Sequence, residues 1–289
     1  GIISSLAVRV YFVQSFELHL DVSEPTTAIL LLSEHCTLSK QQLKQVMHKG
    51  AVWLTVGTKT ERLRRAKKLL QPGQSVHLYY NEVALSDDFI KPELVADCGD
   101  YSVWSKPSGM MSQGSKWGDH STITRFAQLN LEPQRPVFIV HRLDRATQGL
   151  ILIAHSKGAV QQLTRLFEQR QISKKYQAVV AGQFPAMLEF DLPIDDRSAQ
   201  TTAQLLHYDP LQDLSLLDIS IGSGRKHQIR RHLLSANFPI VGDRLYGQAQ
   251  HHEVDLQLCA YALAFVCPLT GESKSYQITP ELLVAINNS

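Results

Sequence analysis

Along residues 15–22 (SFELHLDV), the apolar side chains Phe16, Leu18, Leu20 and Val22 alternate with polar ones, the period of a strand with one wet face. The pattern then changes. Pro25 opens an apolar run to Leu32 that predicts a short helix. Ser39 predicts an N-cap for a second helix over 40–48, which Gly50 ends. Strands are expected at 51–56 and 75–80. Between them TERLRRAKKLL, residues 60–70, sets Leu63, Ala66, Leu69 and Leu70 at helical spacing and predicts a basic helix. Residues 83–92 are polar and acidic, close at Pro92, and predict a linker.

Past that linker, apolar runs at 94–96 and 101–105 flank a Cys98-Gly99-Asp100 turn and predict a hairpin. Ser121 is expected to cap a helix reaching Leu129. Two Val- and Ile-rich runs, 137–140 and 150–154, predict buried strands joined by a polar crossing. An amphipathic helix over 156–168 turns Val160, Leu163, Leu166 and Phe167 to a core, and a strand follows over 174–182. A helix over 228–234 puts His227 and Arg230 on one face, three positions apart, with Arg231 pointing elsewhere.

Composition narrows the class. The chain has 289 residues, 44% hydrophobic and 19% charged, enough for one large domain and a small one. No apolar run reaches 18 residues, so no membrane span is expected. The start, GIISSLAVRVYF, lacks Met and is interrupted by Arg9 too soon to read as a secretory signal. Cys36, Cys98, Cys259 and Cys267 form no Cys-x-x-Cys pair, which argues against a zinc site or a disulfide framework and suits a reducing cytoplasm. A net charge of +2 conceals segregation. Between positions 39 and 72 stand nine Lys or Arg and one acid, Glu61, a local balance of +8. Such a block is either a basic face for a polyanion or a solvated surface.

The crossing between the two Val- and Ile-rich runs carries His141, Arg142, Asp144, Arg145 and Thr147. An ionised Asp beside a buried sheet is costly unless paired, although an Asp in a turn more commonly caps backbone N–H groups. HRLDRATQGL resembles the His-Arg-Leu-Asp signature of the RluA-type RNA pseudouridine synthases, whose Asp is catalytic; Gln148 stands where that family usually has Ser. Two further blocks resemble the same family in the same order. KKYQAVVAG is similar to its Lys-x-Tyr-x-Ala block. GSGRKHQIRRHLLSANFPIVGDRLYG is similar to its Gly-Arg-x-His-Gln-Ile-Arg-x-His run followed by Pro-Ile-x-Gly-Asp-x-x-Tyr-Gly, with Ser223 for Thr and Asn237 for Gly. KPSGMMSQG resembles its opening Lys-Pro-x-Gly, and LQLCAYALAFVCPLTGE its Leu-His-Ala segment with Cys259 in place of His. Nearer the start, LSKQQLKQVMHKGAVWL with PGQSVHLYY resembles the αL RNA-binding module of a ribosomal small-subunit protein.

The resemblance implies an α+β chain with the pseudouridine synthase fold, a mixed and mostly antiparallel sheet flanked by helices. It would be organised as an N-terminal segment (1–22), an αL-like module (23–82), a linker (83–92) and a catalytic domain (93–289). The implied reaction isomerises uridine to pseudouridine in ribosomal or transfer RNA, by a monomer needing no cofactor. Asp144 would be the nucleophile, on ribose or base, and Arg230 would pair with it and hold it ionised. Tyr176 would stack on the uracil and assist removal of the carbon 5 proton. Arg142 would fill the gap left in the RNA stack, with His141, Arg225, His227 and Lys106 contacting base or RNA. Arg62, Arg64, Arg65 and Lys67 would track phosphates. A non-catalytic RNA-binding or ribosome-assembly protein on the same scaffold is the alternative. His141, His227 and His232 lack the spacing and acid of a metal site, and Gly222-x-Gly224 is no dinucleotide fingerprint.

Overall fold

The computed structural model describes residues 14–286. The expected N-terminal segment lies outside the described residues as far as position 13. Contacts divide the chain into two units. One holds the described residues up to Phe89 together with Gly114–Ser121, and the other holds Ile90–Gln113 with the described remainder from Thr122.

In the first unit, β1 (Ser15–Asp21) alternates exposed and half-buried positions, as its sequence requires. It is followed by β2 (Thr26–Thr27), α1 (Ala28–Ser33), α2 (Lys40–His48), β3 (Val52–Val56), β4 (Lys59–Arg62), β5 (Leu69–Leu70) and β6 (Ser75–Asn81). The strands β1, β6, β3 and β4 form an antiparallel sheet in that order, while β2 pairs with β5. Ser39 and Gln42 close a reciprocal capping box at the start of α2. Leu32, Leu43, Met47, Val52, Leu70, Val76 and Leu78 fill the core between helices and sheet.

The helix expected over 60–70 does not form. Leu63 N–H donates to Val52 O at 2.8 Å, Ala66 O accepts from Ile29 N–H at 3.0 Å, and Leu69 and Leu70 join the β2 ladder. These non-local bonds bury Leu63 and Leu70 and override a local spacing preference. Segment 114–121 is the second departure, since it was expected within the catalytic domain. Trp53 Nε1 donates to Lys116 O at 3.0 Å, Lys116 pairs with Glu17 at 2.9 Å, and Arg64 meets Asp119 at 2.5 Å, so the segment is built into the first unit.

The second unit opens with the hairpin β7 (Glu93–Asp97) and β8 (Tyr101–Lys106). Then come α3 (Ile123–Asn130), capped by Thr122 rather than Ser121, β9 (Phe138–Ile139) and β10 (Gln148–Ala154). The chain continues through α4 (Lys157–Glu168), β11 (Ser173–Ala181), β12 (Met187–Phe190), β13 (Thr201–Asp209) and β14 (Leu214–Ile221). Last are α5 (Gln228–Ser235), β15 (Leu258–Val266) and β16 (Ser273–Gln277). The sheet runs β12-β13-β14-β11-β15-β10-β8-β7, with β16 beside β15 and β9 beside β10. Only the β10–β15 pairing is parallel. This is the mixed, mostly antiparallel α+β architecture that the sequence resemblance implied. Ala159, Leu163 and Leu166 of α4 pack on Leu150, Leu152 and Ala154. Gly149, at φ +128°, lets Ala260 backbone approach so closely that a Cβ would lie 2.6 Å from its nitrogen. That close approach fixes the point where β10 leaves the crossing loop. Among the described residues no helix is long and apolar enough to cross a membrane.

Candidate active site

The crossing loop 141–147 joins β9 to β10, and a second loop, 107–112, leaves β8 beside it. The two are tied backbone to backbone and side chain to backbone. Gly109 N–H donates to Arg145 O at 2.8 Å, Arg145 Nε to Gly109 O at 3.0 Å, and Ser108 Oγ to Ala146 O at 2.7 Å. Lys106 sits at the junction, 0% exposed, with Nζ donating to the carbonyls of Pro107, Met110 and Arg145 at 3.0, 2.7 and 3.1 Å. Burial drives its pKa down to about 7. Lys106 was expected to contact RNA; instead its ammonium is consumed in clamping the two loops.

Asp144 projects from this clamped loop into a groove of about 1170 Å³. Its side chain is 29% exposed, with Arg230 Nη1 at 3.6 Å from Oδ2 and His227 Nε2 at 3.8 Å from Oδ1. Neither is a hydrogen bond. Both groups come from the start of α5, where His227 adopts φ +54°. Buried Gln228 pins that turn, because its Oε1 accepts from Ser223 Oγ and Arg225 N–H while its Nε2 donates to Gln200 O and Thr201 Oγ1. His227 Nδ1 lies 3.0 Å from Tyr246 Oη, and burial lowers the imidazole pKa, leaving it neutral near pH 7.

Arg230 was expected to pair with Asp144 and hold it ionised. The fork goes elsewhere. Nε and Nη2 donate to Asp243 at 2.8 and 2.7 Å, and Asp243 also accepts from Leu245 and Tyr246 N–H. The Asp243 side chain is 0% exposed, so it has the larger need of the charge. Burial opposes its ionisation, yet the guanidinium and two amides hold its carboxyl below the ordinary carboxylate range. Arg230 therefore reaches Asp144 with its remaining nitrogen only. Asp243 stands in the Gly-Asp-x-x-Tyr-Gly block, and the sequence signal that marks it is a carboxylate next to a turn-forming Gly, downstream of an Arg-rich helix.

Tyr176 lies on β11 where the register with β15 slips between Lys175 and Tyr176, a bulge that re-aims the ring. It is buried, lines the groove, and has its phenol pKa raised by burial and then by Asp144. Asp144, Tyr176, Arg230 and His227 are thus brought together. Arg142 is exposed on the groove with no side-chain partner among the described residues, and Arg225 lines it while donating to Ser198 O at 3.1 Å. His141 is not a free contact. Its Nε2 accepts from Leu152 N–H at 2.9 Å, which ends the β9 ladder early, and its ring stacks on Phe167 at 4.2 Å. Burial drives its pKa to about 3.

In the first unit Arg62 donates to Gly50 O and Ser115 O and lies over the Trp53 ring, while Arg64 holds His48 O and Asp119. These two expected phosphate contacts are structural; Arg65 and Lys67 are exposed. The two departures from the family's pattern, Gln148 and Cys259, turn out to be register partners across β10 and β15. A larger residue for Ser faces a smaller one for His, a volume exchange that a packed sheet tolerates. Burial raises the Cys259 thiol pKa to about 12, so it is no nucleophile.

Comparison with known proteins agrees with this architecture. A family model described as RNA pseudouridylate synthase matches residues 100–235. The chain is 35% identical to an uncharacterized RNA pseudouridine synthase of Chloroflexus aurantiacus, over 51% of this chain and 52% of that one, about half its length. It is 32% identical to the dual-specificity RNA pseudouridine synthase RluA of Pasteurella multocida, over 62% of this chain and 89% of that protein. The solved structure of human RNA pseudouridylate synthase domain containing 1 shares the fold at a TM-score of 0.56 and 20% identity, covering 65% and 83% of the two chains. The chain belongs to the RluA-type RNA pseudouridine synthases, enzymes that isomerise uridine within RNA.

Proposed function

We propose that Asp144 is the nucleophile of this isomerase and that its substrate is a uridine in a structured ribosomal or transfer RNA. The observation that carries the assignment is the state of the Asp144 carboxylate. It is held on a clamped loop, faces the groove, accepts no hydrogen bond from the described residues, and has a guanidinium nitrogen at 3.6 Å. A carboxylate so placed keeps its lone pairs for an electrophile. The reaction balances without a cofactor or co-reactant. The bond from C1′ to N1 breaks, the bond from C1′ to C5 forms, the C5 proton leaves and N1 gains one. Asp144 attacks ribose or base and is released unchanged.

Tyr176 supplies the plane on which the extruded uracil stacks. Its raised pKa keeps the phenol protonated, which supports stacking and argues against the role in C5 deprotonation that the resemblance had suggested. Arg142, exposed and unpaired, occupies the space that the flipped base vacates. In the first unit, exposed Arg65 and Lys67 attract phosphates, whereas Arg62 and Arg64 are committed to the fold. The enzyme works as a cytoplasmic monomer on this reading. Reverse-transcription mapping of pseudouridine in unmodified ribosomal and transfer RNA, with and without the protein, tests the assignment. Discrete new sites in either RNA support it, and none in both would overturn the substrate class.

A further inference from the structure

Several cations in and beside the groove are committed within the protein, while Arg142, Arg170 and Lys226 line it as exposed side chains without a hydrogen bond or ion pair among the described residues. Arg230 is bound to Asp243, Lys106 to three carbonyls, and Lys175 to Asp218 at 3.3 Å. Lys174 is different. It stands two residues before Tyr176 on β11 and lines the same groove. Its Nζ makes no hydrogen bond or ion pair among the described residues and lies 5.7 Å from the centre of the Phe167 ring. A Cβ on Gly224 would sit 3.2 Å from Nζ, so this side chain has space because position 224 carries none. His141, stacked on the same Phe167, is neutral and adds no competing positive charge. Burial lowers the Lys174 pKa, and no carboxylate offsets that.

A half-buried ammonium with no anionic partner is costly unless a ligand completes it. We propose that Lys174 is a phosphate-binding residue that receives a backbone phosphate next to the extruded uridine. Extrusion turns a nucleotide about its backbone and draws the flanking phosphates towards the pocket wall, where a recessed cation can reach them. A phosphate oxyanion restores more to a desolvated ammonium than a neutral uracil carbonyl does, because charge-assisted hydrogen bonds are roughly twice as strong. Lys174 is a positioning residue in this role and touches no reacting atom. The inference rests on the reading of the groove around Asp144 as the RNA site.

The probe is total RNA labelled with [5-³H]uridine in cells lacking the gene, assayed by tritium release with Lys174→Gln, Lys174→Met and Lys174→Arg. Loss of one charge-assisted contact is expected to raise KM about tenfold in both neutral variants. The slope of log KM against log salt should fall by ~0.7, the share of one single-strand phosphate. The kcat should stay within about twofold, and Arg should restore most of the KM, since the loss is of ground-state binding. Melting temperature should not fall in Lys174→Met, whose chain keeps the Phe167 contact. Unchanged KM and slope would overturn the proposal, as would a fall in kcat at constant slope, which marks contact with the base. Failure of the underlying site reading is seen separately, as turnover retained by Asp144→Asn in the same assay.

Discussion

Replacing Arg230 by Met strands a carboxylate, but the stranded one is Asp243 rather than Asp144. Asp243 loses two hydrogen bonds of 2.8 and 2.7 Å in a position with 0% side-chain exposure and keeps only two amide donors. Breaking one partner of a buried pair costs about 3–5 kcal/mol. Asp243 could escape by binding a proton. From an ordinary value of 3.8, that costs about 4.4 kcal/mol at pH 7, at 1.36 kcal/mol per unit. The two routes give the same ceiling. For a unit of this size, each kcal/mol moves the melting temperature by about 2–4 °C, so Arg230→Met should melt roughly 6–20 °C lower. Adding Asp243→Asn removes the stranded charge, and the double variant should lose at least about 2 kcal/mol less than the sum of the singles. The pH dependence has a definite sign. Asp243 has a lowered folded pKa, so its contribution is complete above 3.8 and is lost only as pH falls through that lower value. In Arg230→Met the stranded carboxylate escapes by protonation more cheaply as pH falls, so calorimetry should show the gap to wild type narrowing from its pH 7 value to no more than about 1.6 kcal/mol at pH 5, at 1.36 kcal/mol per unit above 3.8. Additive single variants, or an unchanged melting temperature, would refute the pairing.

Lys106 behaves in the opposite sense. Its folded pKa of about 7 lies below the ordinary 10.5, so between those values the unfolded chain binds the extra proton and stability rises with pH by up to about 1.4 kcal/mol per unit. Lys106→Met should abolish that rise and, by leaving three carbonyls without a donor, lower the melting temperature; an identical pH profile in the variant would contradict the clamp. Neutralising Arg65 and Lys67 should flatten the salt dependence of RNA binding by ~0.7 in log–log slope per contact without changing the melting temperature of the first unit. Neutralising Arg62 and Arg64 should instead unfold that unit at lower temperature; equal effects of the two pairs would remove the distinction drawn between them.

Local signals survived from sequence to structure where the chemistry is local. Ser39 caps the helix it was expected to cap, the helix expected over 156–168 forms as α4, and the alternation over 15–22 became β1. The 60–70 segment was misread because its order comes from Val52, Ile29 and Thr27, partners that no window of the sequence displays. The site shows the same division. Motif resemblance singled out Asp144, Tyr176, Arg230 and His227, and all four line one groove. It did not reveal which of two carboxylates holds the guanidinium, because that depends on burial, 0% for Asp243 against 29% for Asp144. His141 and Lys106 were read as contacts because their charge is visible in sequence. The carbonyls, amide and ring that occupy them are not.

The central claim is that Asp144 supplies the nucleophile from a carboxylate left free in the groove. Asp144→Asn keeps the side chain's size and removes its nucleophilicity, so tritium release from [5-³H]uridine-labelled RNA measures that claim directly. The account predicts turnover at the level of the protein-free control, with RNA affinity within a few fold of wild type and an unchanged melting temperature. Turnover retained by Asp144→Asn would contradict it and move the chemistry to another residue of the groove.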